Sequence, residues 1–325
     1  MNNINVTWIM KADEEVREQI VRSCPQATIH FADKKNLTAE DVEEAEVIVG
    51  NLPGQWLKEA VKLRWLHLES AGAEKYVHHP DLDPSVILSN STGAYGPAIA
   101  EHMLAAVLTM YKKLPLYHEN QKKRIWHDEG SVLSLAGSTV LVVGLGDIGR
   151  EFAWRMKALG CKVIGVKRTA GLCPDYVDEL VLNDQIDEVL PEADIIAACL
   201  PSTEETVHYF DEERLSLTKK DCTLINVGRG VTVDTQAVIR LLDQGHFHSV
   251  ILDVMDPEPL PMNSKLWAYD RVLLTPHVSG GYNQRSTYDK VVSMAVENIQ
   301  RYCHDEPLKY LVDRNSGYRI SNSQE

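Results

Sequence analysis

The chain has 325 residues, 44% of them hydrophobic and 25% charged, which at roughly 150 residues per domain suggests two domains, each with its own core. Lys and Arg number 33 against 47 Asp and Glu, for a formal charge of −14. That surplus argues against nucleic acid or an anionic membrane as a main partner, since both need a cationic footprint. The six cysteines include no C-x-x-C pair and read as single thiols in a reducing compartment. No basic region followed by an apolar stretch opens the chain, and no run of about 18 apolar residues occurs, so the expected location is the cytoplasm.

From residue 1 to about 100, short apolar runs at 4–10, 28–31, 47–49, 65–68 and 86–88 alternate with polar, helix-compatible stretches. This is the rhythm of βαβ units and a parallel sheet. The segment 97–111 is apolar on most of its circumference, with Pro97 suited to a first helical turn, and predicts a helix buried on several sides. A polar stretch over 112–129 follows. A second alternation then runs through 139–143, 162–166, 194–199, 223–227, 250–252 and 272–274, with helical stretches between most of them. Strands that are nearly all apolar are buried on both faces, so a doubly wound sheet is expected. A last helix is expected over about 285–301, and the polar tail from 314 should fray.

Val140-Leu-Val-Val-Gly144-Leu-Gly146-Asp147-Ile148-Gly149 places G-x-G-x-x-G after a strand and at the head of a helix. Gly144 permits the tight turn, Gly146 lets the backbone approach a pyrophosphate, and Gly149 allows helix and strand to pack closely. The order of strand, glycines, helix and second strand predicts a dinucleotide site. About 20 residues downstream, where an NAD site usually carries an acidic residue for the ribose hydroxyls, this chain has Lys167-Arg168-Thr169. Two cations and a hydroxyl suit a 2′-phosphate, so NADP is the expected cofactor, with NAD possible.

Four motifs lie downstream: Cys199-Leu200-Pro201-Ser202-Thr-Glu-Glu-Thr206, Ile225-Asn-Val227-Gly228-Arg229-Gly230, Asp253-Val-Met-Asp-Pro-Glu258-Pro259 and Thr275-Pro-His277-Val-Ser-Gly280-Gly281. The first three finish or follow an apolar strand, where ligands bind in open α/β sheets. Together the four offer a guanidinium in Arg229, a carboxylate in Glu258 and an imidazole in His277. That set suits hydride transfer between a nicotinamide and a 2-oxo acid: Arg229 grips the carboxylate, His277 exchanges a proton with the carbonyl oxygen, and Glu258 tunes His277.

With Ser70-Ala71-Gly72, the segment from Asn90 to His102, Leu260-Pro-Met-Asn-Ser-Lys-Leu-Trp267 and the closing Leu311 to Tyr318 added, the chain resembles the D-isomer-specific 2-hydroxyacid dehydrogenase family over nearly its whole length. The resemblance implies two doubly wound parallel-sheet domains. A Rossmann cofactor domain (102–282) would be inserted into a flavodoxin-like substrate domain (1–101 and 283–325). It implies Arg229, Glu258 and His277 as the catalytic set, with substrate also bound by the backbone of Ala71 and Gly72. It further implies that Asp253 holds the nicotinamide carboxamide and that Ser202 and Thr206 lie near cofactor phosphate or ribose. Leu200, Pro201, Val227, Gly228 and Gly280 complete the expected cofactor contacts. A homodimer acting on a small 2-oxo or 2-hydroxy acid is the expected assembly and substrate class. The Val227-Gly228 step, where many relatives have a small polar residue or alanine before Arg, is expected to change little, because the backbone rather than the side chain meets the cofactor.

Other features take plainer readings. His78-His79 is expected to be a surface pair with no metal, and His102 a core or interface histidine. Trp126 and Trp267 could either wall the substrate pocket or simply pack. The rival function from another class is a catalytically weak NAD(P)H-sensing scaffold of corepressor type; the complete Arg229, Glu258 and His277 set favours the enzyme.

Overall fold

The computed structural model describes residues 4–282, 284–315, 317 and 320. The chain forms two compact units, one of residues up to Tyr95 together with those from Tyr282 onward, and one of Gly96–Gly281. The sequence reading put the first division after residue 101. It falls earlier because the single helix Gly96–Tyr111 belongs whole to the inserted unit. Ser316, Tyr318, Arg319 and the last five residues of the expected frayed tail lie outside the described residues.

The first unit is built on five parallel strands, β1 (Ile4–Trp8), β2 (Ala27–Phe31), β3 (Val47–Val49), β4 (Trp65–His67) and β5 (Ile87–Ser89), in the order β2-β1-β3-β4-β5. The inner strands β3 and β4 are buried throughout, as a sheet covered on both faces requires. The edge strand β2 alternates between half-buried and exposed. The helices Glu14–Ser23 and Arg285–Cys303 run side by side, with Arg285 3.9 Å from Asp13 at their starts and Gln300 Nε2 donating to the Ser23 carbonyl at 2.7 Å at their ends, and Trp65 stacks on Tyr302 with ring centroids 5.5 Å apart. Ile48, Leu66 and Leu88 belong to a separate apolar cluster with Val42, Leu57 and Leu63. His67 is fully buried, and Ser89 Oγ lies 2.8 Å from its Nδ1 while accepting from Trp65 Nε1. Its Nε2 has no partner among the described residues, and burial pushes its pKa down to about 3.

The second unit holds seven parallel strands, β6 (Thr139–Val143), β7 (Lys162–Lys167), β8 (Glu179–Leu182), β9 (Ile195–Ala198), β10 (Cys222–Asn226), β11 (Phe247–Leu252) and β12 (Val272–Leu274), in the order β12-β11-β10-β9-β6-β7-β8. Strand order reverses at β6, which is flanked by β7 and β9. The crevice beyond the carboxyl ends of β6 and β9 is therefore where such a sheet binds ligands. Helix Gly96–Tyr111 packs against Asp147–Ala158 and is buried on several sides, as its apolar girth predicts. Two elements went unread in the sequence. Strand β8 is short and lies at the sheet edge, and the helix Leu114–Lys123 has no fully buried residue and so no apolar stripe to announce it. Among the described residues no helix is long and apolar enough to cross a membrane.

Candidate active site

At the end of β6, Gly144 turns the chain at φ 96° and donates its N–H to the Val166 carbonyl at 3.1 Å. Gly146 then precedes the helix Asp147–Ala158. A Cβ on Gly149 would lie 2.0 Å from the Gly144 carbonyl oxygen, whereas one on Gly146 would meet nothing within 4 Å. The first contact demands glycine for helix packing. The second position opens outward, leaving the room a pyrophosphate needs beside the N–H groups of the helix start. The cradle thus fits a dinucleotide. Asp147 gives its carboxylate to the Gly96 N–H at 2.8 Å, so what it and Ile148 can offer a phosphate is backbone N–H. Lys167 ends β7, one strand over from the fingerprint, and Arg168 and Thr169 are exposed just beyond it.

Leu200, Pro201 and Ser202 follow β9, and Val227 and Gly228 follow β10. A Cβ on Gly228 would lie 2.4 Å from the Leu200 carbonyl oxygen and 2.8 Å from its nitrogen. Here the two loops meet backbone to backbone, so in this chain a side chain at the position would force them apart. Thr206 Oγ1 donates to the Pro201 carbonyl at 2.7 Å and accepts from the Thr203 N–H at 2.8 Å, so its hydroxyl braces this loop.

Arg229 follows β10 on a backbone pinned by Asn226 Nδ2 and Thr232 Oγ1, which donate to its carbonyl at 3.1 and 2.7 Å. Its guanidinium donates to the Gly228 carbonyl at 2.8 Å. Glu258 accepts the Met255 N–H on one oxygen and lies 3.0 Å from His277 Nδ1 through the other. His277 sits at φ 52°, a left-handed conformation that costs a non-glycine residue energy. Asp253 holds it there. The Asp253 carbonyl accepts the His277 N–H at 2.9 Å. One carboxylate oxygen accepts from Thr275 Oγ1 at 2.5 Å and the Val278 N–H at 3.0 Å, and the other from the Ser279 N–H at 3.1 Å and Ser279 Oγ at 2.5 Å. Burial raises the Asp253 pKa, but these four bonds outweigh it and hold the carboxyl below its ordinary value.

The family model of the D-isomer specific 2-hydroxyacid dehydrogenase NAD binding domain matches residues 104–279. The chain belongs to that family. It is an NAD(P)-dependent oxidoreductase whose inserted unit is the cofactor domain. Among its relatives, glyoxylate/hydroxypyruvate reductase B of Erwinia tasmaniensis is 27% identical over 313 residues, covering 89% of this chain and 95% of its own. A family protein from Aeromonas salmonicida superposes with a TM-score of 0.88 at 29% identity over 96% of this chain and all of that one. A D-isomer specific 2-hydroxyacid dehydrogenase from Xanthobacter autotrophicus, solved with NADPH and MES, gives 0.83 at 27% identity over 98% and 100%.

In this dehydrogenase Ala71 and Gly72 lie in the first unit, on the loop after β4. All three carbonyls of residues 70–72 are tied back: Ser70 to the Ser91 N–H at 3.1 Å, Ala71 to Asn90 Nδ2 at 2.6 Å, and Gly72 to Ser70 Oγ at 2.7 Å. The N–H groups of Ala71 and Gly72 have no partner among the described residues. A loop with its carbonyls turned in and its N–H groups open is polarised toward an anion. Gly280 is half-buried and follows Ser279 in the chain. His78 is exposed and His79 half-buried, and no metal-binding group occurs among the described residues. His102 Nε2 lies 3.3 Å from Thr275 Oγ1. Trp126 is wholly exposed, while Trp267 donates to the Pro261 carbonyl at 3.0 Å. Sequence reasoning missed Thr275, Ser279 and Asn226 as supports; only their place inside the quoted motifs hinted at them.

Proposed function

We propose that this dehydrogenase reduces small 2-oxo acids, glyoxylate and hydroxypyruvate first among them, to 2-hydroxy acids with NADPH, of D configuration where the product has a stereocentre. The observation that carries the reading is His277 held 3.0 Å from Glu258 at the carboxyl end of the sheet that carries the dinucleotide cradle. With Nδ1 engaged by Glu258, Nε2 is the ring nitrogen available to give a proton to the substrate carbonyl oxygen. Arg229 binds the substrate carboxylate as a planar fork and polarises the carbonyl. When bound, the nicotinamide would supply a hydride to the carbonyl carbon, and that hydride with the proton from His277 accounts for conversion of the carbonyl to the alcohol. The open backbone N–H groups of Ala71 and Gly72 are proposed as the first unit's own element for binding a substrate carboxylate.

The relatives support the substrate class: the Erwinia protein is named for glyoxylate and hydroxypyruvate. The Lys167-Arg168-Thr169 run supports NADPH, as does the NADPH in the Xanthobacter structure. A homodimer is proposed on the exposed apolar side chains of Leu114, Leu116, Ile125, Trp126 and Trp154 in the second unit. A reducing, cytoplasmic setting is supported by six free cysteines. Turnover of a 2-oxo acid panel with each reduced cofactor, followed by chiral analysis of the product, tests the reading. Tight NADPH binding without any turnover would instead support the sensing scaffold, and sedimentation tests the dimer.

A further inference from the structure

Glu69 stands immediately before the loop 70–72, and four separate segments of the first unit converge on it. Its Oε1 accepts from Lys34 Nζ at 3.0 Å and the Asn51 N–H at 3.4 Å, and its Oε2 accepts from the Tyr282 hydroxyl at 3.1 Å. The Tyr95 hydroxyl donates to the Glu69 carbonyl. Tyr95 is the last residue of the first unit before the chain passes to Gly96, and Tyr282 is the first on its return. Ser70 Oγ, which donates to the Gly72 carbonyl, also lies 3.2 Å from Asn51 Oδ1, so the Glu69 cluster reaches into the loop itself.

We propose that Glu69 is a positioning residue for substrate binding, tying the loop 70–72 to both segments through which the chain leaves and re-enters its first unit. The inference rests on the reading in which the N–H groups of Ala71 and Gly72 receive the substrate carboxylate. Glu69 joins loops at the carboxyl end of the sheet, not the apolar core, so its loss loosens the loop and leaves the fold standing. Both phenols remain donors throughout the working range: burial, with Glu69 alongside, pushes Tyr95 up to about 12 and Tyr282 higher still. Lys34 is partly exposed and contributes little on its own. The Tyr282 bond to a charged acceptor and the Asn51 link carry the effect.

Steady-state kinetics of Glu69→Gln, Tyr282→Phe and the double variant test this. Glu69→Gln should raise KM for the 2-oxo acid about tenfold or more, the size of one hydrogen bond to a charged group. KM for NADPH and kcat should change less than about threefold, because neither depends on the loop in this scheme. The same factor should hold for glyoxylate and hydroxypyruvate, since the carboxylate is common to both. Tyr282→Phe should raise KM less, and the double variant should fall short of the product of the two, as contacting residues do. An unchanged substrate KM, an equal rise in the NADPH KM, or a factor that follows the substrate side chain would overturn the proposal. Amide exchange at Ser91, whose N–H is bonded to the Ser70 carbonyl, gives an answer independent of turnover: it should quicken in Glu69→Gln, and unchanged exchange refutes the clamp. A wild type that turns over no 2-oxo acid refutes the functional reading instead.

Discussion

Replacing Asp253 by Asn changes one oxygen into an amide nitrogen and leaves the shape almost intact. The carboxylate accepts four bonds, two on each oxygen, and the residue is completely buried. The Asn oxygen can keep one pair, while its NH2 confronts the other: a hydroxyl, which can rotate to accept, and a backbone N–H, which cannot. One buried N–H is left unsatisfied and the charge is lost, so a stability loss of about 2 to 4 kcal/mol is expected. His277 should be held less firmly at its left-handed φ, and kcat should fall about ten- to hundredfold, since a displaced proton donor costs that much. Urea unfolding and steady-state reduction of a 2-oxo acid measure the two effects. Acid does to the wild type what Asn does by substitution. A carboxyl held below its ordinary value contributes stability that is present above the unfolded pKa of about 3.9 and is lost as pH falls through the folded value. Unfolding free energy within about 0.5 kcal/mol of wild type, with kcat unchanged within twofold, would refute the loop-holding role.

NADPH should be preferred to NADH by about tenfold or more in kcat/KM, shrinking with salt; a Lys167→Ala, Arg168→Ala double variant with an unchanged ratio would remove those residues from the site. Arg229→Lys should lose at least tenfold in kcat/KM for every accepted acid, because an ammonium lacks the planar fork, and near-normal kinetics would contradict the assigned grip. Gly228→Ala forces a methyl against the Leu200 backbone and should cost about 1 to 3 kcal/mol, read by urea unfolding; a neutral outcome would mean the two loops separate easily. Burial lowers the His67 pKa from 6.5 to about 3, so the unfolded state binds the extra proton as pH falls below 6.5. About 2 kcal/mol of stability should be gone by pH 5, and His67→Gln should flatten that slope; an equal slope in the variant would exclude His67 as its source.

Much of the fold was legible because its signals are local. The apolar runs at 47–49 and 139–143 coincide with β3 and β6, since strands covered on both faces are nearly all apolar, and the run at 272–274 coincides with the half-buried edge strand β12. The buried helix began one residue before its expected start, and Gly144 and Gly149 serve the turn and the packing their spacing implied. The short edge strand β8 and the polar helix Leu114–Lys123 were lost because neither buries enough to leave a pattern.

The sequence by itself determined the order of strands and helices, the cradle and the types of chemical group at hand, all of which depend on residues within a turn or two of one another. What only the tertiary structure decided are contacts between residues far apart in the chain. Asp253 brackets the His277 loop 22 to 26 positions away, and Asp147 turns to Gly96 across 51. The Leu200 backbone crowds Gly228, and Glu69 gathers Lys34, Asn51, Tyr95 and Tyr282. Strand order and register bring these groups within hydrogen-bond reach, and neither is written in the spacing of any one segment: a carboxylate reads the same in sequence whether its oxygens meet a ligand or the backbone of its own chain.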